Sequence, residues 1–240
     1  MKLNISQELE YRTNFVIRLV TQFFFVVVQI VLIETYFRFT SSIGSWSRQE
    51  VFVLAGIFRI VEGIFHILFH TNILYLSEIV RHGELDLLLI RPINTLFLLS
   101  VSKQQWYELS TIISGILFLA YFLPHQSVGL WLIIILFSIL GLTCLYSIML
   151  PIATLSFYMS RMTSISSIWD TISKISRFPL DIFGRTVAPL LLIATIPSRI
   201  ILGKSGVGDI VIQICSSVIL FGLAYLFWQY SLKRYSSASS

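Results

Sequence analysis

The chain is 240 residues long, with 56% hydrophobic residues, 12% charged residues and a formal net charge of +5. Soluble globular chains carry about 25% charged residues. Half that charge, at a mean hydropathy of +0.84, excludes a soluble enzyme, a disordered chain and a nucleic-acid binder built on a dense basic surface. A membrane-crossing helix uses about 20 apolar residues, so about six would fill half the chain. The class is an all-α polytopic membrane protein.

In chain order, residues 1–13 are mixed and polar, with Glu8 and Arg12 one turn apart, and predict a short amphipathic helix on the membrane surface. The first apolar run is too long for a signal-peptide core, follows the acidic Glu8 and Glu10, and lacks a small-residue cleavage site. It predicts a first span at 14–37, with Glu34 and Arg38 as an i,i+4 pair near its outer end. The connector TSSIGSWSRQ leads to a second span at 51–76. A charged stretch at 77–95 follows, then a third span at 105–123. The turn at Pro124–Ser127 leads to a fourth at 128–156.

Residues 160–185 interleave Arg161, Asp170, Lys174 and Asp181 with apolar residues, and 186–202 are apolar but broken by Pro189 and Pro197. Either 160–180 is a polar fifth span followed by a proline-broken, outer re-entrant segment at 181–208, or 186–203 is itself the fifth span. Irregular backbone at membrane depth needs protein or a water-filled cavity to shield it. A last span at 209–230 ends before Lys233 and Arg234. Cys144 and Cys215 lie inside apolar runs and predict buried, inert thiols without disulfide or zinc spacing.

Lysine and arginine in short loops set orientation. With the N-terminus inside and the fifth span at 160–180, nine basic residues (Lys2, Arg12, Arg18, Arg81, Arg91, Lys103, Arg161, Lys233, Arg234) fall inside. Five (Arg38, Arg48, Arg185, Arg199, Lys204) fall outside. Both termini are therefore expected in the cytoplasm.

No phosphate loop, HExxH or GxSxG motif is present, and no polar segment is long enough for a nucleotide-binding domain. Energy must come from a partner chain or an ion gradient. The second span carries Arg59, Glu62, His66 and His70, at spacings that share one helix face. A charge at the bilayer centre costs about 2.5–3.5 kcal/mol on insertion scales, and Arg59 is expected to offset that of Glu62 from one turn away. Three readings stand side by side: a structural stripe at an interface, the wet face of a translocation path lined by Arg59, Glu62 and His66, and a metal site of Glu62, His66 and His70.

The stretch 78–95 is the most informative. Gly83 permits a chain reversal, Glu84 and Asp86 suit the first turn of a helix, and Leu85, Leu87, Leu88 and Leu89 supply apolar surface. Pro92 ends that helix and Asn94 starts the next segment. A leucine-rich helix outside the membrane either rests on lipid or inserts into a partner's groove.

The pattern G-E-L-D-x-L-L-x-R-P-x-N of Gly83–Asn94 resembles the cytoplasmic coupling segment of type-2 ABC exporter permeases, in their bacterial six-span subfamily. The stretch SRFPLDIFGRTVAPLLLIATIPSRIILG resembles the proline-bearing segment after that subfamily's fifth span, and the terminal FWQYSLKRYSSAS its closing pattern. Lys204 and the glycine-rich GKSGVGD depart from the more apolar approach to its last span. The resemblance implies the polar-fifth-span topology, a permease with no catalytic residue or directly bound cofactor, and a location in the bacterial inner membrane. It also implies pairing with a second or paralogous permease and a separate cytoplasmic ATPase that binds ATP and Mg. It makes Gly83, Glu84, Leu85, Asp86, Leu88, Arg91 and Pro92 the ATPase-coupling residues. The alternatives are a membrane-embedded metal-dependent enzyme or metal carrier using Glu62, His66 and His70, and a gradient-driven carrier with Glu62 as its proton site.

Overall fold

Long apolar runs must satisfy their backbone hydrogen bonds internally, and in lipid the helix does this within one segment. The computed structural model describes residues 12–123, 127–158, 165–180 and 188–234. Helices dominate it, and the one extended pairing among the described residues is an isolated bridge between Ile43 and Trp46. In chain order they are α1 (Arg12–Phe39), α2 (Arg48–Phe65), a π turn (His66–His70), α3 (Thr71–Arg81), α4 (Glu84–Leu89) and α5 (Thr95–Ser100). A 3-10 turn (Trp106–Glu108) leads into α6 (Leu109–Phe122), and another (Leu155–Phe157) closes α7 (Val128–Thr154). The chain ends with α8 (Ile165–Ser176), α9 (Ala188–Leu191), α10 (Thr195–Ile201) and α11 (Val207–Arg234).

Four stretches among the described residues are long and apolar enough to cross a membrane: Val16–Phe39, Arg48–Val80, Val128–Phe157 and Val207–Arg234. Trp106–Phe122 and Ala188–Ile201 are shorter apolar helices. The described part of the expected fifth span is α8, whose 12 residues extend about 18 Å at 1.5 Å each, less than a crossing. The surface helix expected over 1–13 lies outside the described residues except for its last two positions, and so do 159–164, 181–187 and 235–240.

The Arg48–Val80 rod is the centre of the bundle. Its most apolar window is 83% buried, against 11% for that of α1. It meets α6 through two facing glycines: a Cβ on Gly115 would lie 2.7 Å from the Gly56 carbonyl oxygen, and one on Gly56 would lie 3.0 Å from that of Gly115. Small residues at such a crossing let backbones approach where no water drives association. On α7, a Cβ at Gly141 would overlap the Ile193 carbonyl, so the α9–α10 segment sits directly on that helix.

Below the π turn, the buried Asn72 pins the return of the chain. Its Nδ2 donates to the carbonyls of Leu68, Ser100 and Lys103, each at 2.8 Å. Its Oδ1 accepts from Ser102 Oγ at 2.7 Å and Lys103 N at 2.9 Å. One amide thus satisfies an irregular backbone that lacks a helix's own partners.

At the opposite end, Lys204 Nζ pairs with Glu50 at 2.6 Å and donates to the Ser45 carbonyl at 2.9 Å, tying the segment after α10 to the α1–α2 hairpin. The i,i+4 pair expected between Glu34 and Arg38 gives way here to Arg48, which donates to Glu34 through both Nε and Nη2. The hairpin brings Arg48 alongside, and a forked guanidinium contact outcompetes a single exposed one. Cys144 is buried as expected, but Cys215 is exposed. An apolar run in a membrane chain need not be buried in protein, because lipid is equally apolar.

Candidate functional site

The polar series of the second span does converge on other helices, and it does so as two adjoining clusters. Arg59 is 3% exposed. Its Nε donates to Gln29 Oε1 on α1 at 2.8 Å, and its Nη1 donates to Ser114 Oγ on α6 at 3.0 Å. Glu62, expected to take Arg59 as its partner, is engaged instead by Arg177, just beyond α8, at 2.9 Å. Arg59 stands within electrostatic reach of both Glu62 and Glu108 while its own hydrogen bonds go to neutral groups.

The second cluster is centred on Glu108, at the entry to α6. It accepts from Gln22 Nε2 on α1 at 3.2 Å to each oxygen and from Thr111 Oγ1 at 2.7 Å, and it lies 3.3 Å from His66 Nδ1. The π turn sets His66 and His70 face to face, with ring centroids 4.1 Å apart and planes 4° from parallel. Trp169 of α8 covers both rings at 5.0 and 5.2 Å and stacks on Phe65 at 4.8 Å. π turns inside α-helices recur at functional sites. Here the turn gives α8 an aromatic seat.

Most of these residues, though not Gln29, Phe65, His70 or Ser114, wall a cavity of about 260 Å³ between α1, α2, α6 and α8. Three cations (Arg59, Lys174, Arg177) and three carboxylates (Glu62, Glu108, Asp170) line it, so its formal charges cancel. Ionisable groups at membrane depth face a bundle interior or water rather than lipid. The burial of α8 accords with that: Ile165, Trp169 and Ile172 pack inward, while Ser166, Ser167, Asp170, Thr171 and Lys174 form an exposed polar stripe.

His66, Glu62 and Arg59 therefore share one cavity, as their spacing suggested. The metal arrangement does not form. Glu62 turns to Arg177, His66 to Glu108, and His70 stacks on its neighbour. Among the described residues no group of three or more His, Cys, Asp or Glu is placed to hold a metal ion. The reading along the second span missed Gln22, Gln29, Glu108 and Arg177. Signals for them exist in the sequence: Gln22 and Gln29 lie seven apart on one helix face, flanking an unbroken apolar run, and Asp170, Lys174 and Arg177 follow one another at spacings of four and three.

The second candidate region lies at the end of the rod. Gly83 takes φ +70°, a left-handed conformation that a side chain would strain, and turns the chain from α3 into α4. Leu85, expected on a docking surface, is fully buried in the main core, and Leu88 packs against it half-buried. The outward apolar surface comes from Leu87 and Ile90, 62% and 80% exposed, beside the exposed Glu84 and Arg91. Asn94 Oδ1 caps α5 by accepting from Phe97 N at 3.2 Å, which fixes the exit past Pro92.

A family model described as an ABC-2 family transporter protein matches residues 23–239, nearly the whole chain. No curated protein and no solved structure matches it.

Proposed function

We propose, from the premise that the chain belongs to the ABC-2 family of transporter proteins and is a multi-pass membrane permease, that it forms the transport path of an ATP-driven exporter. In this reading two copies, or this chain and a related one, face each other across α1, α2 and α8. A separate cytoplasmic ATPase binds ATP and Mg and supplies the energy. Both termini and α4 lie in the cytoplasm of a bacterial cell, and the chain itself carries out no chemistry. ATPase closure pushes the paired α4 segments together and shifts the path from inward-open to outward-open, a rigid-body change between two packed states.

The observation that carries this reading is the polar stripe of α8. Asp170 and Lys174 are exposed at the depth of Glu62 and cannot rest in lipid at a tolerable cost, so they face water or a partner permease. In a background lacking Cys144 and Cys215, Asp170→Cys is expected to react with a membrane-impermeant maleimide, whereas Leu136→Cys on the lipid face of α7 stays unreactive. An unreactive position 170 that reacts neither with the maleimide nor, across a dimer, with itself would sink the path assignment.

Coupling is assigned to the α4 corner. Water penalises exposed apolar surface by about 25 cal/mol per Å², so Leu87 and Ile90 require a cover. A partner's basic-rimmed groove accounts for Glu84 and Asp86 as well, which lipid does not. Asp86→Lys is expected to leave insertion intact while ATPase binding in a pull-down weakens at least about tenfold, the low end for a close interfacial charge pair. Gly83→Val, which strains the turn, is expected to weaken it similarly. Unchanged binding and transport in both variants would mean that α4 only rests on lipid.

A further inference from the structure

Apart from the charged cavity, a larger one of about 670 Å³ opens sideways at the corner of α5 and α11. Phe69 of the π turn, Phe97 of α5, Leu142 of α7 and Phe221 of α11 are among the apolar side chains of its wall. The hydroxyls of its wall are already engaged: Thr143 Oγ1 donates to the Ile139 carbonyl at 2.9 Å. Ser100 Oγ and Tyr146 OH share a hydrogen bond of 2.7 Å, and Tyr225 OH accepts from Gln229 Nε2 at 3.0 Å. Water gains little in such a space, since a buried water needs two to four polar partners. The volume lies within the roughly 300–1,000 Å³ of small-molecule sites.

Depth and surroundings identify what fits. Tyr146 lies eight residues before the end of α7, and Tyr225 nine before the end of α11, or about 12–14 Å along each axis. Those ends meet on the α4 side of the molecule, where Phe157 packs on Trp228 and Tyr158 OH donates to Ser231 Oγ at 3.1 Å. The cavity thus lies at hydrocarbon depth in the leaflet on that side, a hydrocarbon half-thickness being about 15 Å. Exposed apolar side chains stand on both flanking helices, Phe97 on α5 and Leu226 on α11. The chain segment forming the mouth is bracketed by two exposed cations, Arg91 and Lys103, placed toward the headgroup layer, where basic residues attract phosphate.

We propose that this cavity is a binding site for one acyl chain of a phospholipid, drawn sideways from the leaflet on the α4 side, with its phosphate near Arg91 and Lys103. Bilayer lipid is the neighbouring phase, the wall matches a hydrocarbon tail, and the cations match the head. The site is separate from the charged cavity, whose walls come from α1, α2, α6 and α8.

The test uses the full chain in phosphatidylglycerol vesicles carrying a trace of phosphatidylglycerol with a diazirine midway along one acyl chain. After irradiation, peptide mapping is expected to find labelling at Leu142, Tyr146 and Tyr225 about tenfold above that at Val218 and Leu223, which simply face lipid; that ratio corresponds to about 1.4 kcal/mol of preference. Thr143→Trp fills the cavity and is expected to erase the difference. Should that variant fail to fold, Leu142→Phe narrows the same space and is expected to reduce it. Labelling of the cavity no stronger than at Val218, whether because a second copy or another part of the chain fills it, would overturn the proposal. So would cavity labelling that persists undiminished in a folded filling variant.

Discussion

Arg177→Ala is expected to destabilise the solubilised protein by about 3 kcal/mol, the lower part of the range for breaking a buried ion pair. The cost arises from Glu62, which is 9% exposed and loses the guanidinium at 2.9 Å that compensates its burial. Arg177 is itself about one-third exposed, so its removal creates little cavity. The loss therefore reports the stranded carboxylate rather than lost packing. A double variant, Glu62→Gln with Arg177→Gln, removes both charges while keeping a hydrogen-bonding pair, and is expected to recover most of the melting temperature. Transport is expected to stay low in the double variant, since the path has lost one cation and one carboxylate. Equal thermal stability of Arg177→Ala and the parent would show that Glu62 is solvated in the bundle.

Gly115→Leu is expected to be as damaging, at about 3 kcal/mol, the upper end of typical overpacking costs. A Cβ at this position meets the Gly56 carbonyl at 2.7 Å and the Arg59 Cβ at 3.1 Å, so α2 and α6 must move apart. That displacement also pulls Ser114 from Arg59. Gly222 on α11 provides the contrast, because a Cβ there meets nothing within 4 Å. Gly222→Ala is expected to stabilise by about 0.5–1 kcal/mol by removing a helix-interior glycine. Thermal unfolding of the two variants in one detergent checks both signs.

The helical class, the family and the common helix face of Arg59, Glu62 and His66 were legible in the sequence. Periodicity along a helix reports which residues share a face, and 59, 62 and 66 do. It is silent on what faces them. The partner of Glu62 is 115 residues away, and choosing Arg59 as its partner followed from knowing only one helix. The same blindness hid Glu108, a lone acid at a span entrance, and Asn72, whose five hydrogen bonds run to its own helix and the loop at 99–103. At α4 the composition pointed to a helix, which ends at Leu89, three residues before the expected stop at Pro92. Six residues are too few for periodicity to decide which leucines point inward, so Leu85 was expected outside although it packs in the core.

The single rod from Arg48 to Val80 carries both candidate regions, and its backbone comes nearest to α6 at Gly56, where a Cβ on Gly115 would meet the Gly56 carbonyl oxygen at 2.7 Å. Held there, the rod would work as a lever with its fulcrum near one end. Glu62 lies six residues beyond it and Val80 twenty-four, arms of about 9 and 36 Å. A tilt of about 5° about Gly56 would carry the α4 end by about 3 Å while Glu62 moves less than about 1 Å, given a straight helix of that rise. With arms in the ratio of residues at a fixed rise, such a rod would be geared about fourfold: a coarse push at the α4 end would arrive at the charged cavity as an adjustment small enough to change hydrogen bonds one at a time.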